Sequence, residues 1–109
     1  MNINIYGSTG TIGIKSLKII NQYFKNIKIN LLCCNNNDSL LLQQIYKYKP
    51  KYAFIYNEEK YVKIKKKNIK NNKIFNKKEL FQYLKSSNSK YSILAVSGYR
   101  SLFYLDEIA

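Results

Sequence analysis

Residues 2–20 read NINIYGSTGTIGIKSLKII, and the fold turns on what the glycines in this stretch do. Asn2 to Tyr6 alternates polar and apolar residues, the period of a β-strand. From Thr11 to Phe24 the apolar residues Ile12, Ile14, Leu17, Ile19, Ile20, Tyr23 and Phe24 recur at helical spacing. Between strand and helix stands GSTGTIG, Gly7 to Gly13, which holds three of the 4 glycines in the chain. Such density marks backbone that turns at positive φ, or that something approaches closely.

Strand and helix continue to alternate downstream. IKINLLCC, Ile27 to Cys34, reads as a second strand, and Asn37 or Asp38 caps a second helix carrying Leu40, Leu41, Leu42, Ile45 and Tyr46. Pro50 stops that helix, and KYAFIY, Lys51 to Tyr56, is a third strand. Glu58 to Lys66 forms a short helix with acids first and lysines last, as the macrodipole prefers. The lysine-asparagine run that follows reads as a solvated helix end and loop. Ile74-Phe75 is a minor strand, Glu79 to Leu84 a helix, and Lys90 to Gly98 a buried strand. Ser101 to Ile108 begins one more helix. This order implies an α/β fold, a Rossmann-like doubly wound parallel sheet incomplete at its C-terminus, with helices on both faces and the first strand inside.

In such a sheet ligands bind beyond the carboxyl ends of the strands. GSTGTIG lies at that edge with a helix N-terminus behind it, where orphan N–H groups and the positive dipole end favour an anion. Gly7 supplies the turn, Gly10 lets backbone approach a pyrophosphate, and Gly13 permits close helix packing. The plainer alternative is a tight turn with nothing bound, since a glycine triplet alone is weak evidence. The second strand ends in CCNNND, with Asn35, Asn36 and Asn37 where an NAD-binding domain places an acid for the ribose 2′-hydroxyl. A carboxylate would repel a 2′-phosphate, so its absence favours NADP over NAD. Asp38, the nearest acid, is expected to cap the next helix instead.

Composition bounds the remaining possibilities. A length of 109 residues fits one domain, 1–109, and a hydrophobic content of 46% supplies a core. No apolar run approaches the roughly 20 residues of a membrane span, and no basic-then-apolar leader pattern opens the chain. Adjacent Cys33 and Cys34 suit neither a disulfide framework nor a metal site and read as small buried residues of a reducing compartment. The net charge of +13 invites a nucleic-acid reading. The excess is nearly all lysine, with Arg100 the lone arginine, and it travels with asparagine, isoleucine and tyrosine, whose codons are A/T-rich. Compositional drift accounts for all four, with the lysines spread over helices and loops, so no specific nucleic-acid partner is expected. The chain has no histidine, no paired carboxylates in a metal-site pattern and no base-activated nucleophile.

Two stretches, INIYGSTGTIGIKSLKII and LLCCNNNDSLLLQQIYKYKPKYAFIYNEEKY, resemble the N-terminal cofactor domain of the 1-deoxy-D-xylulose 5-phosphate reductoisomerase family. Gly7 to Gly13 matches the family's G-S-T-G-S-I-G with one conservative change, and Pro50-Lys51-Tyr52-Ala53 matches its strand entry. AVSGYRSLFYLDEI is similar more loosely. The resemblance implies that Thr9, Gly10, Thr11 and Ile12 bind the pyrophosphate of NADPH, and that Asn35, Asn36 and Asn37 read the adenosine ribose and its 2′-phosphate. Where the family often carries glycine and a basic residue, this sequence has Asn35 and Asn36. Asn36 donates hydrogen bonds but brings no charge, which implies lower NADPH affinity.

The resemblance further implies a sugar-phosphate substrate, reduction by NADPH after a metal-assisted rearrangement, a divalent metal (Mg2+ or Mn2+) held by downstream residues, and a homodimer. It also implies a cytoplasmic location or a plastid-like organelle. The family enzyme is about four times longer, so this chain reads as a fragment or a truncated product, inactive alone. Other readings from the residues are a different NADP-dependent oxidoreductase, such as a semialdehyde dehydrogenase, a non-catalytic remnant, and a basic nucleic-acid-binding domain.

Overall fold

The computed structural model describes residues 2–86 and 91–94. Five strands, β1 (Asn2–Tyr6), β2 (Lys28–Cys34), β3 (Tyr52–Ile55), β4 (Lys73–Ile74) and β5 (Tyr91–Leu94), alternate with four helices, α1 (Thr11–Tyr23), α2 (Asp38–Tyr48), α3 (Glu58–Lys65) and α4 (Lys77–Ser86). All neighbouring strands pair in parallel, in the order β4-β3-β2-β1-β5. The first strand is therefore interior, as expected. The chain steps outward from β1 to β4 and then returns to the far side of β1. That reversal makes the carboxyl ends of β1 and β5 a topological switch point.

Strand alternation divides the core into two layers. On one face Ile3, Ile5, Leu32, Ala53 and Ile55 pack against Leu17 and Ile20 of α1, Leu41 and Ile45 of α2, and Ile64 of α3. On the other, Tyr6, Leu31, Cys33, Phe54 and Phe75 meet Leu80 of α4. Consecutive right-handed crossovers in one direction put α1, α2 and α3 on the same side, and the reversed step puts α4 opposite. The second layer includes polar groups. Asn4 is buried; its Oδ1 accepts from the Tyr83 hydroxyl at 2.9 Å, and its Nδ2 donates to the Tyr6 hydroxyl at 3.3 Å. Asn30, set aside by a register shift between Ile3 and Asn4, donates to the same Tyr83 oxygen. The strand's polar alternation is thus satisfied inside the protein, as burial requires.

Local chemistry sets the element ends. Asn37 caps α2, its Oδ1 accepting from Leu40 N at 3.1 Å. Asp38 does not cap: it sits one residue later, where its carboxylate meets Lys60 at 3.4 Å and Lys63 at 3.6 Å on α3. Lys49 closes α2 in the left-handed region (φ 52°) just before Pro50. Helix α4 starts two residues before Glu79, because Asn76 and Glu79 form a reciprocal capping box with bonds of 2.8 and 2.9 Å. β4 begins at Lys73, one residue ahead of the expected Ile74-Phe75. In α1 only Gly13, Leu17 and Ile20 are buried, whereas Ile12, Ile19, Tyr23 and Phe24 are exposed. One sheet face accepts a single helical stripe, so the second apolar stripe stays outside. The strand expected over Lys90 to Gly98 is described only as β5, and the helix expected over Ser101 to Ile108 lies outside the described residues.

Candidate functional site

The turn after β1 is built almost wholly from main chain. Gly7 adopts φ 86°, the left-handed region that favours glycine. The N–H groups of Gly7 and Ser8 both donate to Cys33 O, at 2.8 and 2.9 Å, which ties the turn to the end of β2. Gly10 N closes it on Gly7 O at 3.1 Å. A Cβ on Gly13 would lie 2.1 Å from that same carbonyl oxygen, so α1 packs against the turn at a distance only glycine allows. From α2, Gln44 Nε2 donates to Ser8 O at 2.8 Å and holds the turn from the far side. Ser8 is fully buried, and its Oγ has no hydrogen-bond partner.

Gly10 is the N-cap of α1 at φ −82° and ψ 172°, extended backbone that any residue adopts, and no side chain caps the helix. Its first turn holds no acid. The other described helices are different: Asn37, Asn57 and Asn76 cap them, and Asp38, Glu58 with Glu59, and Glu79 stand in their first turns. At α1 alone among them are the opening N–H groups left to something other than a side chain, with the positive dipole end undiluted. That arrangement suits an anion.

The three asparagines lie beside this turn, since they follow directly on β2, whose Cys33 O accepts from the turn's Gly7 and Ser8 N–H groups. Asn57, the cap of α3, draws the ends of β2 and β3 together: its N–H donates to Asn35 O at 2.9 Å and its Nδ2 to Asn36 Oδ1 at 3.2 Å. With that oxygen engaged, Asn36 presents its Nδ2 as a donor, on an exposed residue. Asn37 spends its Oδ1 on the α2 cap. Asn35 is half-buried and its Oδ1 has no partner. All eight candidates, Gly7, Thr9, Gly10, Thr11, Ile12, Asn35, Asn36 and Asn37, therefore fall along one edge of the sheet. Thr11 and Ile12 are exposed at the helix start.

Two contributors were missed from sequence. Gln44 shares the buried stripe of α2 with Leu41 and Ile45, and a polar residue at that spacing was its signal. Asn57 was visible only as a residue preceding two acids.

Among the described residues, neither cysteine at this edge is a ready nucleophile. Burial, reinforced by Cys34, raises the Cys33 thiol well above its ordinary range. Burial pushes Cys34 to about 12 against the opposing hydrogen bonds of Thr9 and Asn37. Both are free and buried, and they stay protonated near neutrality. Among the described residues no three His, Cys, Asp or Glu side chains come together to hold a metal, and no helix is long and apolar enough to cross a membrane.

A parallel sheet with a glycine turn and an uncapped helix at its switch point defines a Rossmann-like α/β domain. A profile of the 1-deoxy-D-xylulose 5-phosphate reductoisomerase family matches residues 3–105, and the chain belongs to that family. It is 35% identical over 99 residues to the Campylobacter jejuni reductoisomerase (strain 81-176), covering 90% of this chain and 26% of that one. With the Pelagibacter ubique enzyme it shares 36% over 104 residues, 92% of this chain and 26% of the other. The chain thus spans about a quarter of the length of these curated relatives. The fold matches a reductoisomerase from Zymomonas mobilis solved with NADPH, at TM-score 0.84 and 18% identity, over 98% of this chain and 29% of that one. It likewise matches a reductoisomerase solved with NADPH, fosmidomycin and magnesium, at TM-score 0.80 and 20% identity, over 94% and 26% of the two chains.

Proposed function

We propose that this chain binds NADPH as the cofactor-holding part of a 1-deoxy-D-xylulose 5-phosphate reductoisomerase. That enzyme converts 1-deoxy-D-xylulose 5-phosphate to 2-C-methyl-D-erythritol 4-phosphate in non-mevalonate isoprenoid biosynthesis. The observation that carries the reading is the α1 N-terminus, with a glycine where its neighbours have an asparagine cap and no acid where they have one. The Thr11 and Ile12 N–H groups face the pyrophosphate, Gly10 keeps side-chain atoms out of its way, and Thr9 borders it. Asn35, Asn36 and Asn37 take the adenosine ribose and 2′-phosphate, with Asn36 Nδ2 as the donor. Ser8 Oγ and Asn35 Oδ1, both without partners, fit a site that offers polar contacts to a ligand. The cofactor supplies a hydride when bound, and this chain's residues bind and orient it.

The divalent metal expected of the family does not fit the described residues. Asp38 is engaged by Lys60 and Lys63, Glu79 by Lys73 and Glu58 by Lys77, so no step through a metal is assigned to them. A sugar-phosphate substrate, a homodimer and a cytoplasmic or plastid-like location accompany this reading of the whole enzyme.

Calorimetric titration tests it. NADPH should bind in preference to NADH, and Asn36→Lys should tighten NADPH by about 1–2 kcal/mol, roughly tenfold, through a charge-assisted contact. Equal or tighter binding of NADH refutes the NADP assignment. An unchanged Asn36→Lys variant removes Asn36 from the 2′-phosphate.

A further inference from the structure

The sheet has a second edge, at the amino ends of its strands, which the cofactor reading leaves unused. A cavity of about 510 Å³ opens there, within the rough 300–1,000 Å³ range of small-molecule sites. Lys25, Lys28, Lys49 and Lys51 line it beside Phe24 and Tyr48, and no carboxylate of the described residues does. Two neighbouring cavities extend it. One of about 370 Å³ shares Lys25 and Tyr48 and adds Lys18 and Lys47. Another, of about 300 Å³, shares Lys49 and adds Lys70.

Among the described residues no carboxylate pairs with Lys25, Lys28, Lys49 or Lys51. The acids of the described residues, Asp38, Glu58, Glu59 and Glu79, all stand in first helical turns at the opposite edge. The helix dipole explains those acids, and it explains Lys47 in the last turn of α2. It also covers Lys49, the α2 C-cap, but not Lys25, Lys28 and Lys51, which lie in connections and at a strand start. The lysine excess, expected to be spread over helices and loops, is in part gathered here. Aromatic side chains accompany it: Tyr23 is 68% exposed, Tyr46 58% and Phe24 48%. Ammonium groups already approach rings at this edge, Lys47 Nζ lying 5.4 Å from the Tyr48 centroid and Lys51 Nζ 5.5 Å from that of Tyr52.

We propose that the amino edge is a sequence-independent platform for single-stranded nucleic acid. Lysines meet phosphates without reading bases, and exposed aromatic rings offer faces on which any base stacks. Among the described residues no arginine fork stands at the edge to read a base pair. The first cavity suits one nucleotide, and the flanking cavities carry the basic track past it, which selects a strand over a free mononucleotide. The glycine turn lies at the other edge, so strand and cofactor bind independently.

Anisotropy of a labelled single-stranded oligouridine, titrated with the 109-residue chain between about 50 and about 200 mM salt, tests this. Lys25→Gln/Lys28→Gln/Lys51→Gln should weaken binding at least about tenfold and flatten the log–log salt slope by about 2. Lys15→Gln/Lys77→Gln/Lys78→Gln, with the same loss of charge near the opposite edge, should stay within about twofold of the parent. Phe24→Leu should weaken the oligouridine at least about fivefold yet leave inorganic polyphosphate binding unchanged. Circular dichroism confirms folding of each variant, and Lys25→Glu alone gives the slope if the triple variant unfolds. Equal losses from the two triple variants, no effect of Phe24→Leu, uridine monophosphate binding as tightly as the oligomer, or a preference for duplex would each overturn the proposal.

Discussion

Gly13→Ala asks whether the glycine turn is held where the site needs it. In an ordinary helix interior alanine is favoured over glycine by about 1 kcal/mol. Here the added Cβ would lie 2.1 Å from Gly7 O, 2.7 Å from Ser8 Cα and 2.9 Å from Gly7 C. All three are main-chain atoms, so no rotamer change relieves the contact. Ordinary carbon contact lies near ~3.5 Å, so turn and helix must part by more than an ångström, or about that. The turn is pinned by Gly7 N and Ser8 N on Cys33 O and by Gln44 on Ser8 O. Giving up three such bonds at about 1 kcal/mol each exceeds the helix-propensity gain and leaves a net loss of about 2 kcal/mol. That corresponds to a fall in Tm of about 8 °C for a domain of this size. Urea denaturation followed by circular dichroism, with the slope m unchanged, measures the difference. A variant as stable as its parent, or more so, would show that α1 does not press on the turn at this distance.

Three further outcomes follow from the same geometry. Gly10→Val should abolish NADPH binding in the titration while circular dichroism stays native, because φ −82° tolerates a side chain and only the ligand's space is filled; an unfolded variant would return Gly10 to a purely structural role. Asn76→Ala should cost about 1 kcal/mol of unfolding free energy by removing the α4 cap, and a loss near zero would refute the capping box. The Glu79 carboxyl is held below its usual range by the Asn76 N–H and Lys73, and that of Asp38 by Lys60 and Lys63 despite partial burial. Their contribution is complete above about pH 6, begins to fall as pH approaches the ordinary carboxylate range and disappears as pH falls through the lowered values, so Asp38→Asn/Glu79→Gln should flatten the acid limb of a stability–pH curve, and an unaltered limb would contradict it.

The parts of this fold that showed in the sequence are those governed by neighbours along the chain. Period 2 passing into period 3.6 across Gly7–Gly13 placed β1, the turn and α1, and Pro50 and Asn37 marked the ends of α2 because cap and breaker chemistry is local. What stayed hidden depends on partners far away. Asn4 looked like the wet side of a strand, yet its partner is Tyr83, 79 residues on. Gln44 reaches back 36 residues to Ser8. Asp38 read as a cap because nothing local distinguishes it from Asn37, and the lysines that occupy it come from α3. The apolar residues of α1 outnumber what one sheet face buries, and only the packed sheet selects Leu17 and Ile20 over Ile12 and Ile19.

The pairing of β5 with β1, Ile3 opposite Tyr91, carries a consequence for biosynthesis. On the ribosome, β1 to β4 emerge in order and can stack into a partial sheet while the inner strand keeps one flank bare. At typical elongation rates that flank waits on the order of ten seconds for β5. An open row of main-chain donors and acceptors is a template for foreign chains. The nascent polypeptide is therefore most prone to mispairing at the very strand that leads into its glycine turn, and the crevice between β1 and β5 comes into being only when that wait ends.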